Sequence, residues 1–253
     1  MPTFCYVKGD DIIERPVSPA TEEVIPGVIW GSPEALFTPA FWLAQYWMRE
    51  DSLAPRSHSL GQTLEEEVVA CLLGGYGIPA EIALAAFDRL RSRGLISYNS
   101  SQSEELISQS LKEPLTVAGR SVTYRFWSQK ARYIAGALET LHEQSAPNDS
   151  AEGLREYLLR IPGIGFKIAS WIVRNWLRSN DVAILDIHII RAGRLMNLYS
   201  ARDQVSRDYL AMEKRFLSLA RAMHTRAADL DALIWFEMRR TRRLVTRLVR
   251  ELN

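Results

Sequence analysis

The sequence predicts an all-α, that is mainly helical, protein, and three observations carry that prediction. Apolar residues recur at helical spacing between short capping, glycine and proline signals, and strand patterns are nearly absent. A content of 47% apolar residues with seven Trp in 253 residues is enough for one large domain or two small ones. This composition excludes a disordered or collagen-like chain. With 24% charged residues, no window approaches the ~18 consecutive apolar residues that a membrane span needs. Lys8, Asp10 and Asp11 precede any hydrophobic run, so the layout of a secretory signal is lacking and an intracellular protein is expected.

Residues 1–60 are expected to form a segment packed on the helical lobes. Within it, Pro39 after Thr38 opens an aromatic-rich helix through Phe41, Trp42, Tyr46 and Trp47. Residues 61–145 form the expected first lobe. There Thr63-Leu64-Glu65-Glu66 has the form of a capping box, and the apolar run from Val68 to Leu73 ends at Gly74-Gly75. Pro79 starts the next helix, which Gly94 ends. Ser121 to Phe126 is the one plausible extended piece. Trp127 to His142 reads as a helix with Tyr133, Ile134, Ala137, Leu138 and Leu141 on one face.

Ser145 to Ser150 is the clearest linker, and residues 151–253 form the expected second lobe. It begins with a short helix to Leu159 and a tight turn. Helices near 166–178, 187–199 and 203–222 follow, then a long basic helix over about 228–250 with Arg239, Arg240, Arg242, Arg243, Arg247 and Arg250.

The net charge is +1, but it is unevenly spread. Residues 1–159 carry 13 Lys and Arg against 21 Asp and Glu, whereas residues 160–253 carry 18 against 9. The basic half points to a polyanion, with nucleic acid the leading candidate; mutual neutralisation of the two halves is the alternative. Cys5 and Cys71 are only two, which excludes a four-Cys zinc site or iron-sulfur cluster and fits a reducing compartment. His58, His142, His188 and His224 show no ligand spacing, so no metal or other cofactor is expected.

The turn at Ile161-Pro-Gly-Ile-Gly-Phe-Lys-Ile-Ala169 opens the basic half. Two glycines two apart let the backbone approach a ligand closely, and the amides around Pro162, Gly163, Ile164 and Gly165 could cradle a phosphate. Such a contact reads the nucleic-acid backbone, not its sequence. An ordinary helix-helix turn is the alternative for this fragment taken alone. Lys167 lies in the first turn of the following helix, where the macrodipole disfavours a cation. That placement suits a nucleophile; a solvated lysine touching one phosphate is the other reading. Asp186 precedes Ile187 as a helix N-cap, and an ionised carboxylate there could also balance positive charge developing on a sugar.

Residues 161–169, followed by Leu185-Asp-Ile-His-Ile-Ile-Arg191, resemble the hairpin and catalytic Asp of the helix-hairpin-helix DNA glycosylase superfamily. The resemblance strictly covers residues 154–199 and extends more loosely to 64–90 and to Ser128-Gln-Lys-Ala-Arg-Tyr-Ile134. It implies a two-lobed fold without an iron-sulfur cluster. It further implies a bifunctional glycosylase and AP lyase in which the Lys167 amine attacks C1′ and Asp186 assists. The missing cluster favours the 8-oxoguanine branch, and the lack of an obvious amino-terminal β domain suggests a compact prokaryotic type, cytoplasmic and close to the nucleoid. The implied partner is double-stranded DNA with a damaged base, bound by a monomer, with a monovalent cation at the carbonyls of 160–165 as an option.

Where family members usually carry Gln or Asn to fill the gap left by a flipped base, this chain has Gly74-Gly75-Tyr76-Gly77, which makes Tyr76 the candidate wedge. Trp235 is the candidate stacking platform and Asp231, four residues earlier on the same face, the candidate purine reader. Gln129 and His188 complete the residues assigned to the base pocket or wedge. Two alternatives stay open: a glycosylase for another modified base on the same Lys and Asp, and a non-catalytic helix-hairpin-helix DNA-binding module.

Overall fold

The computed structural model describes residues 2–53, 58–75, 77–96, 104–241, 244–245 and 247–248. The fold is mainly α, with ten helices and three two-stranded antiparallel sheets among these residues. In chain order the elements are β1 (Thr3–Lys8), β2 (Asp11–Pro16), β3 (Glu23–Ile25), β4 (Val28–Ile29), α1 (Pro39–Leu53), α2 (Leu64–Leu73), α3 (Ala80–Ser92) and α4 (Glu104–Lys112). Then come β5 (Leu115–Val117), β6 (Arg120–Val122), α5 (Trp127–Glu143), α6 (Ala151–Leu158), α7 (Phe166–Leu177), α8 (Ile187–Leu195), α9 (Val205–Ala222) and α10 (Ala227–Arg240). No described helix is long and apolar enough to cross a membrane.

The chain divides into two compact units, one built from Met1–Arg56 with Asn180–Asn253, the other from Ser57–Ser179. This differs from the expected lobes 61–145 and 151–253. The linker at 145–150 does not separate domains, because the Tyr157 hydroxyl on α6 donates to the carbonyls of Thr140 and Gln144 at 3.2 and 3.0 Å and ties α6 back to α5. The hairpin therefore belongs with the central segment, and the amino-terminal residues belong with the carboxy-terminal helices.

In the first unit, β1 and β2 pair from Thr3↔Pro16 to Lys8↔Asp11 around a Gly9-Asp10 turn, with Gly9 at φ 62°. No strand was expected here; the aromatic and β-branched residues Phe4, Tyr6, Val7, Ile12 and Ile13 on either side of the glycine turn are its local causes. Val17, Val28, Trp30, Phe37 and Trp42 share one core with Leu185, Ile189, Phe216, Leu230 and Ile234. That shared core is why the two chain ends form one body. Helix α8 stops short of the expected 199: Asn197 takes φ 58°, and the Leu198 and Tyr199 amides return to the Gly193 carbonyl. Helix α10 is Ala227–Arg240 and residues 244–245 and 247–248 are again helical; Arg242, Arg243 and Arg250 of the expected basic helix lie outside the described residues.

In the second unit, Thr63 caps α2 by accepting from the Glu66 amide, as the capping box requires, and Gly74 ends it. The expected strand at 121–126 is realised only at β6, paired with β5. Leu72, Leu73, Leu90, Ile107, Leu111, Ile134 and Leu154 are fully buried. The buried Glu67 carboxylate joins three segments. Its Oε2 accepts from the Leu60 and Gly61 amides and the Ser59 hydroxyl, and its Oε1 from Asn175 Nδ2 of α7 at 2.6 Å and Cys71 Sγ at 3.5 Å. Burial pushes the Cys71 thiol well up, which leaves it an inert core group.

Candidate active site

The hairpin in the Ser57–Ser179 unit is α6, a turn over 159–165, and α7. Two successive tight turns make it: the Ile161 amide donates to Leu158 O at 3.0 Å and the Ile164 amide to Ile161 O at 3.1 Å. Gly163 has φ +88°, and a Cβ there would run into the Tyr133 ring of α5, so this position accepts only glycine. Gly165 is different. Its φ of −99° is open to any residue, and a Cβ would meet nothing within 4 Å. The reason for a glycine at 165 is thus space on the outside of the hairpin, where it starts α7 with no side-chain cap on the first-turn amides. The carbonyls of Pro162, Gly163 and Ile164 accept no hydrogen bond among the described residues.

Lys167 is the second residue of α7 and is half-buried. Its amine makes no ion pair or hydrogen bond among the described residues, and a Cβ on Gly75 would stand 3.6 Å from Nζ. Gly75 itself has φ +82° and Gly74 lies under the Trp171 ring, where a Cβ would come within 2.9 Å. The Gly74-Gly75 turn is therefore pressed against the first two turns of α7. Tyr76, the candidate wedge that follows, lies outside the described residues. Gln129 is exposed on α5, with Nε2 donating to the Tyr133 hydroxyl at 3.3 Å.

The other candidates lie in the first unit. Asp186 caps α8, and both bonds fall on Oδ1, from the His188 amide at 2.8 Å and the Ile189 amide at 2.9 Å. Its Oδ2 carries no hydrogen bond among the described residues, which leaves that oxygen for other work. Three side chains fix the buried segment that leads into it: Glu213 accepts from the Ala183 amide, the Tyr209 hydroxyl donates to Ala183 O, and Asp231 accepts from the Ile184 amide at 3.1 Å.

Asp231, the candidate purine reader, is 3% exposed, and its Oδ2 accepts from the backbone of the extended 182–185 segment, whose amides need acceptors. Trp235, by contrast, is partly exposed. The edge of His188 meets it at 6.2 Å between ring centroids, and the Arg239 guanidinium covers a face at 5.2 Å. Asp186, His188 and Trp235 are thereby gathered on α8 and α10, two helices that pack together.

Sequence reading missed Lys130. It is 1% exposed in the apolar stripe of α5 with Ala131, Ile134, Ala137 and Leu138, and it donates to Leu72 O at the end of α2. The signal was its register in that stripe.

A model of the 8-oxoguanine DNA glycosylase family matches residues 56–225, a span that holds the hairpin, Lys167 and Asp186. This chain belongs to the 8-oxoguanine DNA glycosylase family. Over 128 residues it is 36% identical to an 8-oxoguanine DNA glycosylase/AP lyase of Saccharolobus islandicus, covering 47% of this chain and 61% of that protein. The chain therefore spans somewhat under two thirds of that relative's length. The fold is that of the 8-oxoguanine DNA glycosylase of Thermotoga maritima, with a TM-score of 0.61 at 21% identity over 78% of this chain and 94% of that one. It also matches the Methanocaldococcus jannaschii 8-oxoguanine glycosylase/lyase in complex with a 15mer DNA containing 8-oxoguanine, with a TM-score of 0.58 at 22% identity over 78% and 96% of the two chains.

Proposed function

We propose that this protein excises 8-oxoguanine from double-stranded DNA as a bifunctional glycosylase and AP lyase. The observation that carries the reading is Lys167, a lysine without a carboxylate partner among the described residues, held at the positive end of α7 directly after the hairpin. A family match across residues 56–225 supports the same assignment.

The neutral Lys167 amine attacks C1′ of the damaged nucleotide, and the N-glycosidic bond breaks as its electron pair leaves with the base, which takes up a proton. The secondary amine then expels the ring oxygen to give an imine. Loss of a C2′ proton and departure of the 3′ phosphate complete β-elimination. Asp186 balances the positive charge that develops on the sugar, through the oxygen its cap leaves unused. The hairpin amides hold a phosphate at the open side of Gly165, and the Pro162, Gly163 and Ile164 carbonyls are suited to a monovalent cation. Trp235 stacks the extruded base after Arg239 moves off its face, while Asp231 shapes the wall behind it. Tyr76 and Gln129 stay as candidates for the gap in the duplex, His188 as the edge that orients Trp235. The protein acts as a monomer in the cytoplasm, with the DNA.

The test is incubation with duplexes that each carry one lesion, followed by borohydride. A trapped adduct with 8-oxoguanine and little with thymine glycol or uracil is expected. Adduct with thymine glycol alone moves the enzyme to another modified base, and tight duplex binding without any adduct favours a DNA-binding module.

A further inference from the structure

Lys130 is a fully buried amine that the proposed chemistry does not use, and it lies with Leu72, Tyr124 and Lys167 in the Ser57–Ser179 unit. Its ammonium donates to Leu72 O, and the Tyr124 hydroxyl donates to Leu73 O at 2.6 Å. These are two of the last carbonyls of α2, which lack partners inside the helix. A cation at that end also complements the macrodipole. The next two residues are Gly74 and Gly75, pressed on Trp171 and beside the Lys167 amine. A buried lysine thus fixes the turn that faces the attacking lysine.

Resting on the reading of Lys167 as nucleophile, we propose that Lys130 is its positioning residue: it ties off α2 so that the Gly74-Gly75 turn stands against the Lys167 amine. A spare hydrogen-bond donor would not need to be charged, and a buried ammonium is costly unless its charge has a use. Burial first, and then the positive charge of Lys167, push the Lys130 amine down to about 8.

On the described elements packed around this point, Cys71 of α2 feels Glu67, Arg174 of α7 and Lys167, and its thiol stays protonated. Glu67 is enclosed by its amide, hydroxyl and Asn175 donors, and Arg174 is held on Asn175 Oδ1. Tyr124 is raised by burial and stays neutral. On α4, Glu104, Glu105 and Lys112 are exposed, with Lys112 over the Trp127 ring.

The placement is read on Lys167 itself, without DNA, as the rate of its reductive methylation by formaldehyde at one fixed pH, followed by peptide mass spectrometry. In Lys130→Met, where the Gly74-Gly75 turn is released from its tie, the Lys167 methylation rate changes by at least ~3-fold, whereas Lys130→Arg keeps the wild-type rate. Alongside, the single-turnover trapping rate on an 8-oxoguanine duplex falls by at least ~10-fold in Lys130→Met, with duplex affinity within ~3-fold and recovery in Lys130→Arg. If Lys130→Met does not fold, Lys130→Gln supplies a polar residue one bond too short for the tie to Leu72. An unchanged Lys167 methylation rate in a folded variant of either kind overturns the proposal, as does a trapping loss that Arg fails to restore. A wild-type protein that traps no lesion duplex instead defeats the glycosylase reading, and the methylation rates still decide on Lys130.

Discussion

At the scale of single residues, Asp186 has two separable duties, and ordinary substitutions tell them apart. Asn caps a helix as well as Asp does, so Asp186→Asn is expected to melt within a degree or two of wild type and to bind duplex normally. The charge is lost, however, and the single-turnover rate should fall by at least ~10². An unchanged rate would leave Asp186 as a cap and nothing more. Lys130 carries a second residue-scale expectation through its titration. Its folded-state value is lowered to about 8 from 10.5, so burial of the charge weakens the fold at neutral pH. That penalty is relieved as pH rises from about 8 to 10.5, and the wild type should gain up to about 3 kcal/mol over Lys130→Met across the window. Denaturant melts at pH 7.5 and 10.5 check it; a constant difference between the two proteins contradicts it. The helix-terminus placements of Lys167 and Asp186 were legible because spacing alone displays them. The bond made by Asp231 was not, since its partner is the backbone of Ile184, 47 positions away in sequence, and no local pattern announces it.

Among the elements, the hairpin shows two glycines kept for different reasons. Gly163 has a positive φ and the Tyr133 ring in its way, so Gly163→Ala should lower the melting temperature of the folded protein. Gly165 faces open space with an unstrained backbone, so Gly165→Val should fold. Its branched side chain would stand where a phosphate approaches, and affinity is expected to drop equally for damaged and undamaged duplex, as filter binding or anisotropy would report. A loss confined to the lesion duplex would instead place this turn in the base pocket. The helices themselves were largely readable: Thr63, Gly74, Pro39 and Ser150 mark ends that the structure respects, because caps are local chemistry. Strands β1 to β4 escaped notice, being short and settled by contacts with a core whose other half lies beyond residue 180.

For the whole molecule, the sequence reading placed a lobe boundary at 145–150, but the chain instead returns to its first unit at Asn180. Composition cannot reveal this, since a polar linker between α5 and α6 looks the same whether or not Tyr157 bridges it. The excess of 18 basic over 9 acidic residues in 160–253 has a direct consequence for the partner. Duplex affinity should fall with salt, with a log-log slope steeper than about −3, the release expected from three or more neutralised phosphates. A slope near zero would mean that the basic residues serve internal neutralisation. The central claim is that the Lys167 amine is the group that joins to the sugar. Borohydride trapping on an 8-oxoguanine duplex, followed by proteolysis and mass spectrometry of the nucleotide-bearing peptide, locates that bond. The account predicts one modified peptide, with the adduct on Lys167, and none from Lys167→Gln; an adduct on any other amine, or one that survives Lys167→Gln, contradicts it.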